Sequence, residues 1–178
     1  AIAQKLLDLT GLRYIEGYGL TETIATTHSN PAQQPKQQCL GMPIFDTTSM
    51  VIDPTSLREL PAGEAGEIVI HGPQLFEGYW GDEAKTRAAF IDIAGRRYLR
   101  TGDLGYVDED SYFFFTDRLK RMINASGYKV WPAEVEAMMY RHPELRDCCV
   151  VAAFDSHRGE TVKAYVVRKE GSALDALS

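Results

Sequence analysis

Apolar residues recur at helical spacing at the start of the chain, at Ile2, Leu6, Leu7 and Leu9, and predict a helix over residues 1–9 that Gly11 ends. Residues 13–16 then read as a short buried strand entering a glycine-punctuated turn at 16–22. The polar, proline-bearing stretch 26–38 reads as a loop. Short strands follow: 49–53, then 67–71 after the turn 60–66, then 97–100 and 112–116 around the connection 101–110. Between them, 82–90 has the pattern of a short helix capped by Asp82. Many short strands, Gly and Pro turns and few helices predict a small antiparallel barrel or bent sheet.

The pattern changes style after residue 117. Residues 119–124 and 128–130 flank a turn at 125–127. A helix then starts with Pro132 at its first position and Glu134 in its first turn. Val135, Met138 and Met139 share one face, and Pro143 stops it. Residues 147–154 and 160–167 read as strands joined by the polar turn 155–159, giving an α+β unit with a helix to cover its sheet.

Charge supports two units. Residues 1–116 carry 9 Lys and Arg against 16 Asp and Glu, whereas 117–178 carry 10 against 9. The whole chain of 178 residues has a net charge of -6, which disfavours nucleic acid as a partner. With 44% hydrophobic residues it is too apolar to be disordered, and it can bury roughly two-thirds of its unfolded surface. No apolar run approaches the ~18 residues of a membrane span, and no secretory leader is visible. The chain opens on Ala1 in mid-helix pattern and reads as a segment of something longer. Cys39, Cys148 and Cys149 form no CxxC pair and read as buried small hydrophobes of a reducing compartment. The four His residues lack metal-ligand spacing, so no zinc is expected.

Four places carry candidate chemistry. Gly17-Tyr18-Gly19-Leu20-Thr21-Glu22 lets backbone approach a ligand closely, and its hydroxyl and carboxylate suit a phosphate and its magnesium; it also suits an ordinary turn. Thr101-Gly102-Asp103 places an acid where it accepts ribose hydroxyls or caps a turn. Asp117-Arg118-Leu119-Lys120-Arg121 is either solvated linker or, with Ser126-Gly127-Tyr128-Lys129, part of an anion site built on Arg118, Lys120, Arg121 and Lys129; the second motif alone reads as a hairpin turn. Trp80 and Tyr79 read as packing, 113–115 as a buried strand whose Phe115 has a route to a nucleotide, and Asp108-Glu109-Asp110 as a solvated turn.

The order and spacing of these pieces resemble the C-terminal part of adenylate-forming enzymes, the superfamily of acyl-CoA synthetases, luciferases and peptide-synthetase adenylation domains. Tyr18 to Glu22 match its YGxTE motif, Gly66 to Ile70 with Gly72 and Gly78-Tyr79-Trp80 match the next signature, Thr101-Gly102-Asp103 matches TGD, and 117–136 match the hinge motif and the start of the mobile domain. The hinge and Trp131-Pro132-Ala133-Glu134 most resemble fatty-acyl-CoA ligases. The resemblance implies a mixed α/β fold. Residues 1–116 would end a large N-terminal domain, with a β-barrel-like subdomain from about residue 40, 117–122 would be the hinge, and 123–178 an incomplete small α+β domain.

It also implies a reaction. A fatty acid attacks the α-phosphate of ATP, and CoA displaces AMP from the acyl-AMP. Tyr18 would lie against the adenine, Thr21 would bond the α-phosphate and Glu22 would hold Mg²⁺. Gly17 and Gly19 would floor the acyl pocket, and Asp103 with Arg118 would hold the ribose. Lys120 would be the hinge residue, and Ser126, Gly127, Tyr128 and Lys129 would line the pantetheine tunnel. The family's upstream phosphate loop and downstream Gly-Lys lysine fall outside these letters, so the 178 residues are expected to be inactive alone. Asn124 stands where some relatives carry lysine. A ligase for an aryl or branched acid, a non-catalytic nucleotide-binding relative and a plain β-rich interaction module are the alternatives. A cytoplasmic location is expected, with peripheral membrane association and homodimerisation left open.

Overall fold

A computed structural model describes residues 2–157, 159–172 and 174. Helix α1 (Ile2–Thr10) ends where Gly11 adopts φ +69° and donates its N–H to the Leu7 carbonyl at 2.8 Å. The buried strand expected next is absent: Leu12, Tyr14 and Ile15 are exposed, and none of the described strands pairs with them. The strand starts later, as β1 (Gly17–Gly19), and pairs antiparallel with β2 (Thr26–Ser29), which pairs with β3 (Met42–Pro43). β2 lies within the stretch expected to be loop. Its two central polar letters are buried, with Thr27 Oγ1 bonded to His28 Nδ1 and to the Tyr18 carbonyl.

The second sheet is antiparallel. β4 (Thr48–Ile52), β5 (Gly66–His71), β7 (Arg96–Val107) and β6 (Phe90–Ile93) lie side by side in that order, and β8 (Phe113–Arg118) pairs with β7. β5 reads as a nearly continuous apolar run because both its faces are covered. Ile68 and Ile70 pack with Val51 and Phe113, and Val69 packs with Ile52 and Tyr98 on the other side. Each aliphatic side chain so buried stabilises by about 2 kcal/mol. α2 (Glu83–Ala88) is capped by Asp82, which accepts the Lys85 N–H at 2.9 Å.

Contacts divide the chain into two units, Ala1–Thr116 and Asp117–Ser178. In the second, β9 (Ile123–Ala125) and β10 (Tyr128–Val130) form a tight hairpin, and β11 (Leu145–Asp155) and β12 (Gly159–Arg168) complete a sheet ordered β10-β9-β12-β11. α3 (Pro132–Met139) starts at Pro132 as its letters imply, but its inward face differs. Met138 is 69% exposed, and Glu136 turns inward instead, accepting the Val150 N–H at 2.8 Å and Arg121 Nη2 at 2.9 Å.

Three further expectations of burial fail. Trp80 is fully exposed, so it packs against nothing described here. Phe115 is 44% exposed while Phe113 is buried. Strand alternation in β11 sends Cys148 inward and Cys149 outward.

Candidate functional site

Thr101-Gly102-Asp103 lies inside β7, not after a strand as expected. The ladder pairs Glu67 with Leu104 and Val69 with Arg100, so a single β5 residue faces three β7 residues, 101–103. That bulge bows Asp103 out of the regular register. Gly102 turns the chain at φ +68°, a region where a Cβ is strained. Side chains take over part of the hydrogen bonding that the bulge interrupts. Thr101 Oγ1 donates to the Ile68 carbonyl (2.6 Å) and accepts the Asp103 N–H (3.0 Å), and the Gly102 N–H donates to Glu67 Oε1 (3.2 Å). Glu67 is buried, and its Oε2 accepts Arg100 Nε (3.0 Å) and Nη2 (2.6 Å).

Tyr18 and Asp103, 85 residues apart, meet at this bulge: the Tyr18 hydroxyl donates to Asp103 Oδ2 at 2.6 Å. Asp103 is 2% exposed. The Tyr18 ring packs on the cluster of Val51, Ile68, Ile70 and Phe113, with His28 5.6 Å from it between centroids. His28 is buried, its Nε2 has no hydrogen-bond partner, and burial lowers its pKa to about 4. β1 therefore presents Tyr18 on a packed apolar support, with its hydroxyl bonded to Asp103.

Thr21 and Glu22 follow in a single 3₁₀ turn (Thr21–Thr23), where Thr21 is exposed and Glu22 half-buried. Glu22 Oε1 accepts the Tyr79 hydroxyl at 2.8 Å, and its carbonyl accepts the Phe76 N–H at 2.8 Å. That bond raises the Tyr79 pKa, with burial adding to it. Tyr79 is thus a partner of the candidate metal ligand and more than packing. Phe76 supports it edge-on at 4.9 Å, and Thr86 of α2 accepts the Tyr79 N–H at 2.9 Å. Among the described residues no group of three carboxylate, His or Cys side chains could enclose a metal. Glu22 still fits magnesium as a single protein carboxylate, because that ion commonly takes the rest of its shell from phosphate oxygens and water. Gly19 has a local reason to be glycine: a Cβ there would meet the Ala25 carbonyl oxygen at 2.5 Å. Gly17 is exposed beside it.

In the second unit, Asp117 is 2% exposed and organises the start of α3. Its Oδ2 accepts the Ala133 N–H (3.0 Å) and its Oδ1 the Arg118 N–H (2.7 Å), and Arg121 pairs with it at 3.3 Å. Arg121 also holds Glu136, so two carboxylates occupy it and the four-cation anion site loses that member. Lys120 is exposed in the short turn Leu119–Arg121, and the Arg118 side chain is exposed. Ser126 and Gly127 form the β9–β10 turn at φ +54° and +88°, with the Gly127 N–H on Asn124 Oδ1 at 2.9 Å. Tyr128 is 77% exposed and Lys129 is exposed next to it. A Cβ on Gly127 would meet nothing within 4 Å, so the turn, and no packing partner, calls for glycine there.

Several of these contacts escaped sequence reasoning. The Glu67–Arg100 pair joins strands whose register the letters do not encode. Asp108 and Asp110 are no free solvated turn: Lys36 Nζ reaches them at 2.5 and 2.8 Å and covers the Tyr112 ring at 4.3 Å. Both carboxylates raise the Lys36 pKa. A cleft of about 820 Å³ opens between α1 and the 35–38 segment, with Leu6, Leu7, Arg13, Tyr14 and Glu16 on its walls. Tyr18, Glu22 and Asp103 do not line it.

The model of the AMP-binding enzyme family matches residues 1–80, and that of the AMP-binding enzyme C-terminal domain matches residues 134–178. The chain belongs to the adenylate-forming AMP-binding enzymes. It is 40% identical, over 98% of its length, to a long-chain-fatty-acid–CoA ligase of Bacillus subtilis, and spans 30% of that relative. It is 38% identical to a 4-coumarate–CoA ligase-like protein of Oryza sativa over 90% of its length, spanning 29% of that one. Among solved structures, ATP-bound MatB from Rhodopseudomonas palustris superposes with a TM-score of 0.82 at 33% identity, covering 97% of this chain and 34% of its own. The mixed, mostly β architecture is accordingly a portion of the adenylate-forming fold. The chain spans about 30% of the length of the curated relatives it matches. No helix among the described residues is long and apolar enough to cross a membrane.

Proposed function

We propose that the protein containing this chain is an AMP-forming acid–thiol ligase that activates a fatty acid as acyl-AMP and passes it to CoA. The observation that carries the reading is the Tyr18–Asp103 pair, an aromatic and a buried carboxylate joined at 2.6 Å on a bulge that side chains tie at the Ile68 carbonyl and at the Gly102 and Asp103 N–H groups. A carboxylate so held accepts two vicinal ribose hydroxyls without reorganising, and preorganised acceptors and donors are what such transfer chemistry needs most. In this reading Asp103 takes the ribose hydroxyls and Arg118 donates to the same sugar. The Tyr18 ring lies against the adenine, and the exposed Thr21 hydroxyl donates to the α-phosphate. Gly17 and Gly19 border the acyl group. Glu22, steadied by Tyr79, holds Mg²⁺, which when bound neutralises charge on the leaving pyrophosphate.

Lys120 is the hinge residue of the 117–122 linker, a role that suits an exposed side chain in a one-turn connection. The hairpin residues Ser126, Gly127, Tyr128 and Lys129 receive the pantetheine arm of CoA in the thioester-forming step.

The 40% identity to the Bacillus subtilis fatty-acid ligase favours a fatty acid; the 38% identity to the rice coumarate ligase-like protein supports an aryl acid as the second reading. Pyrophosphate release by the full-length protein, measured with octanoate, palmitate and 4-coumarate, separates them. Release with the fatty acids and none with coumarate is expected. The reverse order would replace the substrate, and no release with any carboxylic acid would remove the ligase reading.

A further inference from the structure

We infer that Glu67 is a positioning residue for nucleotide binding, acting through the bulge that carries Asp103. The inference rests on the reading that Asp103 holds the ribose. Glu67 is a charged side chain only 1% exposed, in the most buried strand of the sheet. A carboxylate in that place is costly unless it is paired and fully hydrogen-bonded. Here both oxygens are used: Oε2 by the Arg100 guanidinium, Oε1 by the Gly102 N–H. The partners flank the bulge on the chain, Arg100 just before Thr101 and Gly102 at its apex. One carboxylate thus ties down both the entry and the crest of the loop that holds Asp103 against Tyr18.

A strand-pairing role alone would not need this chemistry. An apolar residue at 67 would bury as well as its neighbours Ile68 and Val69, but it would leave the half-buried Gly102 N–H without its side-chain acceptor. Arg100 contributes the cation that pairs with Glu67 and orients it. Its own side chain is 28% exposed, so it reaches solvent on the far side. A glutamine at 67 offers one oxygen for two demands. If that oxygen serves Arg100, its NH₂ faces the Gly102 N–H, donor against donor, and the crest is released.

The test uses the full-length protein and two probes, AMP and 2′,3′-dideoxy-AMP, titrated by calorimetry. The ratio of their affinities reports the grip on the ribose hydroxyls alone. The native protein is expected to favour AMP about tenfold or more, the size of hydrogen bonds to a charged group. Asp103→Ala abolishes that preference. Glu67→Gln lowers it about fivefold or more on the same scale and leaves dideoxy-AMP affinity unchanged. Val150→Ala, a core truncation in the other unit at a residue 1% exposed, lowers the melting temperature and leaves the preference intact. Arg100→Gln, at a partly exposed site, decides the matter if Glu67→Gln does not fold, and it too lowers the preference. If Asp103→Ala abolishes the preference while Glu67→Gln or, in its place, Arg100→Gln keeps it, the positioning role is overturned and the ribose reading stands. If Asp103→Ala keeps it, the ribose reading fails and this inference fails with it.

Discussion

His28 shows how much one side chain depends on its tautomer. Thr27 Oγ1 donates to the Tyr18 carbonyl at 3.2 Å, so it accepts from His28 Nδ1–H at 3.0 Å, and the lone pair of Nε2 is left buried without a donor. Protonation would place a charge there with nothing to pair it, which is why burial lowers the pKa to about 4 from an ordinary value of 6.5. A depressed histidine binds fewer protons folded than unfolded, so its contribution is complete above pH 6.5 and is lost as pH falls toward 4. The loss over that window is on the order of 3 kcal/mol. His28→Asn should therefore flatten the pH dependence of the urea midpoint between pH 7 and pH 4; a slope unchanged from the native protein would contradict the assignment. Single letters gave no hint of this, since a histidine in a polar stretch reads as loop. Burial comes from pairing with β1 and from the Phe113 ring 4.8 Å away, both set by distant sequence.

Elements with strong local chemistry were legible: α1 ends at Gly11, α2 starts at Asp82, α3 starts at Pro132, and β5 is where its apolar run lies. Elements defined by pairing were not. β7 continues through Thr101-Gly102-Asp103 because Thr101 and Glu67 substitute for ladder bonds, and a glycine next to an acid otherwise signals a turn. β2 was hidden for the same reason. The start of α3 has a further device: Asp117, sixteen residues upstream of Ala133, supplies the capping acceptor that Trp131 lacks. Asp117→Ala should destabilise the protein by about 2 kcal/mol, the upper end of a lost cap, because it also removes one partner of Arg121. Chemical denaturation measures it, and a change below about 0.5 kcal/mol, the size of an ordinary surface substitution, would mean the cap carries little.

At the scale of the molecule, the change of charge balance and the family motifs pointed to two units, and the residues proposed to meet the nucleotide and CoA distribute between them: Tyr18, Thr21, Glu22 and Asp103 in 1–116, Arg118, Lys120 and the 126–129 hairpin in 117–178. Under the proposed function, this division predicts that the two half-reactions are separable by mutation. A Cβ at Gly127 meets no neighbour within 4 Å, so the main cost of Gly127→Leu is backbone strain of about 1 kcal/mol and its expected effect is on thioester formation, with acyl-AMP formation spared. Rapid-quench assay of both steps in the full-length protein checks this; equal loss of both would place the hairpin outside the CoA site. Everything proposed here returns to Asp103, held at 2.6 Å by Tyr18 and 2% exposed, as the group that grips the sugar of a nucleotide. The most direct measurement is the dissociation constant of AMP for the full-length protein and for Asp103→Ala. Binding at least about tenfold weaker in the variant is expected, as for lost hydrogen bonds to a charged group; equal affinity in the two proteins would contradict the role of Asp103.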